Sequence, residues 1–298
     1  MPGGCGRIVR CMSVSLEPVV ARKTWRTVEP LHGMIYFAPE AAQRYADLGL
    51  ADRSGYFASR SAPMGPVEAE VVIATFFNFY PGLVRTAMAG VWSTTSTEAV
   101  LRGRLEAADA ALRRVLGDAV GSQNLARAAQ LARIAAEAAA ERPQGRPLFA
   151  GHASLPWPDE DHLVLWHAQS MLREYRGDGH VAALCTAGLS GAEALVIHAA
   201  TGEVPAAVLR STRAWPDEEW EEAVESVRSR GWLAQDATLA LSPAGAAHRQ
   251  HVEHMTDTLA VHPYAVLGED RCGELRALTR PLSQAVVSAG MLGSANRP

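Results

Sequence analysis

The chain has 298 residues, 48% hydrophobic and 20% charged, with a formal net charge of −4. This is the make-up of a folded globular protein, long enough for one large or two modest domains, and it argues against a disordered chain. The mild acidity offers polyanions and anionic membranes no global attraction, and four cysteines without a C-x-x-C pair argue against a disulfide scaffold or a structural zinc site.

Residues 1–12 read as a tail. MPGGCGRIVRC lacks the apolar run of a signal peptide, and MSVSLEPVVARKTW looks like a natural start, so Met12 is a candidate initiator and Cys5 and Cys11 fall outside it. A reducing, cytoplasmic setting fits, and no run is apolar and long enough to span a membrane.

Residues 17–50 predict two helices, the first interrupted at Pro30, the second opening at Pro39 and closing at Gly49. SGYFASRSAPMGPVEAE reads as a structured loop, and VEAEVVIATFFNFY as a helix. TSTEAVLRGRLEAADAALRRVLG is the clearest helix. Thr95 and Glu98 suggest a capping box, and Leu101, Leu105, Ala108, Leu112 and Val115 form an apolar stripe. An Ala-rich helix follows and ends before Pro143. The Pro-rich stretch 143–158 reads as a linker between a helical domain (13–142) and a second domain (159–298).

The second half predicts helices over DEDHLVLWHAQSMLREYRG, HVAALCTAG, SGAEALVIHAATG, EVPAAVLRSTRAW and PDEEWEEAVESVRSRG. The last of these turns Trp220, Val224 and Val227 inward. Gly177 and Gly179 suggest a sharp turn around Asp178. WLAQDATLALS suggests a short hairpin, SPAGAAHRQHVEHMTDTLAV another helix, and Pro281 a kink or break in the last one.

From about residue 160 onward this order, with Val227, Arg230, Gly231, Trp232, Leu241, Ser242, Gly245 and Arg249, resembles the winged-helix core of MarR-type regulators. Over nearly its full length the chain also resembles an actinobacterial family known by its helix-turn-helix label. EPLHGMIYFAPEA, GYFASRSAPMGPV, LPWPDEDHLVLWHA, LREYRGDGHVAAL and RGWL carry that likeness. The resemblance implies a mainly α fold, in which a helical N-terminal domain joins a C-terminal winged helix-turn-helix domain with a short β-hairpin wing. It also implies a homodimer formed through the terminal helices.

The implied recognition helix opens with Asp217, Glu218, Glu219, Glu221, Glu222 and Glu225, which would repel phosphates, and the wing offers no Lys or Arg. Arg210 and Arg213 are the DNA-contact candidates, a thin footprint. For a small ligand, the first half offers His32, Tyr36, Tyr56, Arg60 and Asn78 among aromatic residues, and the second offers His167, Arg176, Asp178 and His180. His248, His251 and His254 recur every third position, without a recognised metal spacing, so no metal site is assigned and the cofactor stays open. No nucleophile elbow, P-loop, dinucleotide fingerprint or H-E-x-x-H occurs. Two functions are therefore expected. One is a small-ligand-responsive binding protein or regulator with weak or absent DNA binding. The other is a scaffold enzyme, possible with a metal or haem, whose site lies between the two domains.

Overall fold

A computed structural model describes residues 16–50, 53–236 and 238–292; the tail with Cys5, Cys11 and Met12 lies outside these. Among the described residues are sixteen α-helices. The first six are α1 (Pro18–Gly33), α2 (Pro39–Asp47), α3 (Arg53–Ser61), α4 (Ala69–Phe76), α5 (Pro81–Met88) and α6 (Val91–Thr94). Then come α7 (Thr97–Leu116), α8 (Gln123–Ala140), α9 (Pro147–Ala153), α10 (Asp161–Thr186) and α11 (Gly191–Ala199). The chain continues through α12 (Ala206–Arg213), α13 (Asp217–Ser229), α14 (Pro243–Leu259), α15 (Val261–Ala265) and α16 (Gly268–Ser288).

Local chemistry explains most boundaries. Pro18, Pro39, Pro81 and Pro147 open helices, where a missing N–H costs nothing. Serine side chains cap α7, α8, α11 and α14, and Ser190 with Glu193 completes a capping box on α11. The cap of α7 is Ser96, not the expected Thr95, and its oxygen accepts from the Ala99 N–H. Pro30 and Pro281 sit inside continuous helices rather than breaking them. Gly177 and Gly179 likewise make no turn, because α10 runs unbroken through both. They let neighbours approach: a Cβ on Gly179 would stand 3.4 Å from Leu259 on α14.

The expected β-hairpin wing is not formed. Among the described residues there is no strand, only an isolated antiparallel bridge between Leu233 and Leu241. Ala234 donates to the Ala240 carbonyl (2.9 Å) and Ser242 to the Trp232 carbonyl (3.0 Å), but the pairing goes no further. Two short segments with no third strand cannot sustain a sheet. Instead the segment is held from outside: Leu233 is fully buried and the Leu241 N–H donates to Ala200 at the end of α11. The fold is thus all helical where described, with a helix-turn-helix formed by α12, a turn through Ala214 and α13.

Buried apolar side chains form two cores. The larger gathers Leu31, Ile35, Phe57, Leu112, Leu125, Leu131, Leu172 and Leu275. The smaller holds Leu195, Val196, Trp220, Val227, Leu233 and Val252. Helix α10 crosses the centre, packed on α7, α8, α9, α1 and α14, and feeds the larger core up to Tyr175 and the smaller from Ala183. The Pro-rich segment carries α9, whose Leu148 and Phe149 belong to the larger core. Helices α1 and α16 pack on each other.

One strained residue joins the cores. Phe77 (φ 58°, ψ −53°) forms a tight γ-turn in which the Asn78 N–H donates to the Phe76 carbonyl (2.6 Å). The Phe77 carbonyl presses on Gly191, where a Cβ would lie 2.2 Å away, and Trp215 Nε1 donates to the Asn78 carbonyl (2.9 Å).

No single helix among the described residues is long and apolar enough to cross a membrane.

Candidate functional site

The larger core contains a buried polar network on α1, α3 and α10. His32 is fully buried. Ser170 on α10 spends its hydroxyl proton on the Trp166 carbonyl (2.9 Å), so its oxygen accepts from His32 Nδ1–H (2.7 Å). Nε2 is then the acceptor for the Tyr36 hydroxyl (2.8 Å). This fixes the tautomer of a neutral imidazole. Burial, with Arg173 and Arg104 nearby, holds its pKa well below the usual histidine range.

Beside this chain stand paired charges. Arg60 Nη1 donates to the Tyr56 hydroxyl (2.9 Å) and Nη2 reaches both Glu174 oxygens at 3.2 Å. Arg173 donates to Glu29 (2.8 Å) and to Glu174 (3.0 Å). Burial pushes the Glu174 carboxyl up, but Arg60 and Arg173 outweigh it and hold it at about 2. The Arg60 guanidinium lies 4.2 Å from the Phe76 ring centre and also faces the rings of Tyr36 and Tyr56. Tyr36, Tyr56, Arg173 and Glu29 are half-buried, and the neighbouring Phe37 is exposed, so the network reaches toward solvent at these residues.

Of the residues expected to bind a ligand, His32, Tyr36, Tyr56 and Arg60 come together in this network. Asn78 stands at the junction of the two cores, engaged through its backbone. His167 lies one residue from Trp166, edge-on to the Trp157 ring (4.9 Å between centres), and burial lowers its pKa to about 4.

Arg176, Asp178 and His180 lie elsewhere. His180 is ten residues along α10 from Ser170, roughly 15 Å at the rise of a helix. Arg176 pairs with Asp257 (2.8 Å) and faces the Trp25 ring, and His180 Nδ1 meets Thr256 Oγ1 (2.9 Å). Asp178 accepts from the Phe149 N–H (2.9 Å) in the first turn of α9, and burial raises its carboxyl pKa to about 7. These three tie α10 to α9 and α14.

The DNA-contact candidates are engaged within the chain. Arg210 pairs with Asp217 and faces the Trp220 ring. Arg213 turns toward the junction: its guanidinium lies 5.1 Å from the Phe79 ring centre, and Tyr56 and Arg60 are close enough to act on its charge. Asp217, Glu218, Glu221, Glu222 and Glu225 are all exposed on α13.

Among the described residues one group has metal-ligand proximity: Asp109, Glu160 and His162 offer atoms within 4.8 Å of one another. Arg113 already pairs with both carboxylates (2.7 Å to Asp109), and His162 Nε2 meets Asp109 at 2.6 Å, so a cation's place is filled by a guanidinium. His248 stacks on Trp232 (3.8 Å), while His251 and His254 are exposed.

Sequence reading missed Glu29, Arg104, His152 and Glu174. Arg104 had a signal, because it keeps helical phase with Val100, Ala107 and Ala111, the face of α7 that is buried most deeply. Of the expected stripe, Ala108 and Leu112 are buried, whereas Leu101, Leu105 and Val115 are only partly so. No curated protein and no solved structure matches the chain. A family model matches residues 21–293, and the chain belongs to that helix-turn-helix family.

Proposed function

We propose that this chain is a small-ligand-binding protein built on a helix-turn-helix scaffold, with its ligand taken at the buried network around His32, Tyr36, Tyr56 and Arg60. The observation that carries the reading is the burial of the Arg60–Glu174 ion pair and a neutral histidine at one place in a largely apolar core, with the half-buried Arg173–Glu29 pair at its edge. Burying charge is costly even when it is paired, and polar groups gathered among aromatic rings are the usual lining of ligand sites. One chain supplies every residue named.

Family membership makes nucleic acid the natural rival partner. Reading DNA through α13 would bring five exposed carboxylates toward the phosphates, with Arg210 and Arg213 both turned to other work. DNA binding through this helix is therefore weak or absent. Thermal unfolding against a panel of small aromatic and polar metabolites, beside a gel-shift assay with genomic fragments at low salt, tests both parts. A ligand-dependent rise in Tm without retardation is expected. Retardation whose affinity falls steeply with salt would overturn the reading.

A second reading, catalysis at the same place, is favoured by one feature. The Tyr36 hydroxyl donates to His32 beside Arg60 and Arg173, an arrangement able to pass a proton between phenol and imidazole.

A further inference from the structure

Arg104 is 3% exposed, projects from the buried face of α7 and lies with its guanidinium 4.8 Å from the Trp166 ring centre. Among the described residues its Nε and Nη2 have no hydrogen-bond partner. Those two N–H groups share one edge of the guanidinium, the edge that takes both oxygens of a carboxylate in parallel. His152, fully buried on α9, likewise has both ring nitrogens without a partner among the described residues. Burial is the main influence on its ring, and Arg104 is the strongest nearby charge acting on it. The backbone beside it packs closely, since a Cβ on Gly151 would stand 2.8 Å from the Pro63 carbonyl oxygen. Trp166 Nε1 is a further unpartnered donor.

The two carboxylates of the neighbouring network are committed elsewhere. Glu174 serves Arg60 and Arg173, and Glu29 serves Arg173. Arg60 and Arg104, both buried, thus stand against one buried acid, Glu174, while the half-buried Arg173 and Glu29 pair with each other, leaving one positive charge in excess in a water-poor interior. Buried polar groups in folded proteins find partners, and an acceptor carrying one negative charge answers both the empty edge and the excess charge. From Arg104 the ring of Trp166 leads to His32, stacked at 6.1 Å, and on to Tyr36 at 5.4 Å.

Resting on the ligand-binding reading above, we propose that Arg104 and His152 form an oxyanion subsite that takes the carboxylate of a small aromatic acid. The acid's two oxygens accept from Arg104 Nε and Nη2. A neutral His152 donates one further N–H, and the ring of the acid lies along the aromatic residues toward Tyr36.

The test follows tryptophan fluorescence and thermal unfolding of the full chain during titration with sodium benzoate, with benzamide as its neutral isostere, and with inorganic phosphate. Saturable benzoate binding is expected, at least about tenfold tighter than benzamide, which loses the charge-assisted bonds. Arg104→Gln should remove that preference, and His152→Gln should reduce it. Where Arg104→Gln does not fold, Arg104→Lys, which keeps the charge but lacks the fork, should weaken benzoate by a similar factor. Benzamide binding as well as benzoate would overturn the oxyanion subsite and leave the ligand-binding reading standing. Binding of phosphate without benzoate would overturn the choice of a carboxylate. No saturable response to any of the three, or benzoate affinity unchanged in a folded Arg104 variant, would overturn the proposal.

Discussion

The two cores bury different chemistry. Around the larger one lie His32, Arg60, Arg104, His152, His167 and Glu174, all nearly inaccessible to solvent. The smaller, helix-turn-helix core is almost purely apolar; its buried Glu193 caps α11, and its acids lie outside on α13. An apolar core needs little beyond shape, whereas burying a charge is costly unless it is paired. On the proposed reading the chemistry lies in the larger core, and the helix-turn-helix element serves as scaffold.

The most direct way to break the contrast is to unpair the larger core's charges. Glu174→Gln leaves Arg60 and Arg173 short of their shared acceptor and should destabilise the fold by about 3–5 kcal/mol in chemical denaturation. A loss below about 1 kcal/mol would mean that the network is wet and weakly coupled.

Asp178 gives a pH-dependent version of the same test. Its folded carboxyl keeps its proton to about pH 7, whereas an unfolded aspartate releases it near about pH 3.9. Its contribution to stability is therefore present at low pH and lost as pH rises through that window. Asp178→Asn should gain on the wild type by on the order of 3 kcal/mol between pH 5 and pH 8, as denaturation at both values would reveal. Comparing variant with wild type cancels the opposite slope of His167, whose lowered pKa favours folding at higher pH.

Gly191→Ala sharpens the comparison at the junction. Its Cβ would meet the Phe77 carbonyl oxygen, forcing the γ-turn and α11 apart at a cost of about 1–3 kcal/mol. Separate unfolding of the two cores in that variant, seen by calorimetry, would show that Phe77 couples them. The smallest expected effect is that of Tyr36→Phe, which removes one hydrogen bond to His32 and should cost about 1 kcal/mol.

Much of the helical frame was legible because it is written locally. Pro39, Ser122, Ser190 and Gly188 mark starts and stops by backbone chemistry alone. The wing was misread because WLAQDATLALS has the length of a short hairpin, while nothing in the sequence reveals that no further strand extends the pairing. The glycines around Asp178 were misread as a turn because a glycine inside a continuous helix looks the same in sequence as one needed for a bend. His32, Tyr36, Tyr56 and Arg60 were legible as polar groups among aromatics. Glu174 and Ser170 complete the network from more than a hundred residues away, and only the packing of α10 on α1 and α3 discloses them. His152 was hidden because α9 lies in a Pro-rich stretch that reads as a linker.

The central claim is that the buried network of the larger core is a ligand site. Crystals of the full chain soaked with sodium benzoate test it most directly, through the electron density between Tyr36, Arg60 and Arg104. An ordered aromatic acid, its carboxylate against Arg104 and its ring toward Tyr36, is the predicted result. Density for water alone, with Arg104 and His152 bonded to protein groups, would contradict the account.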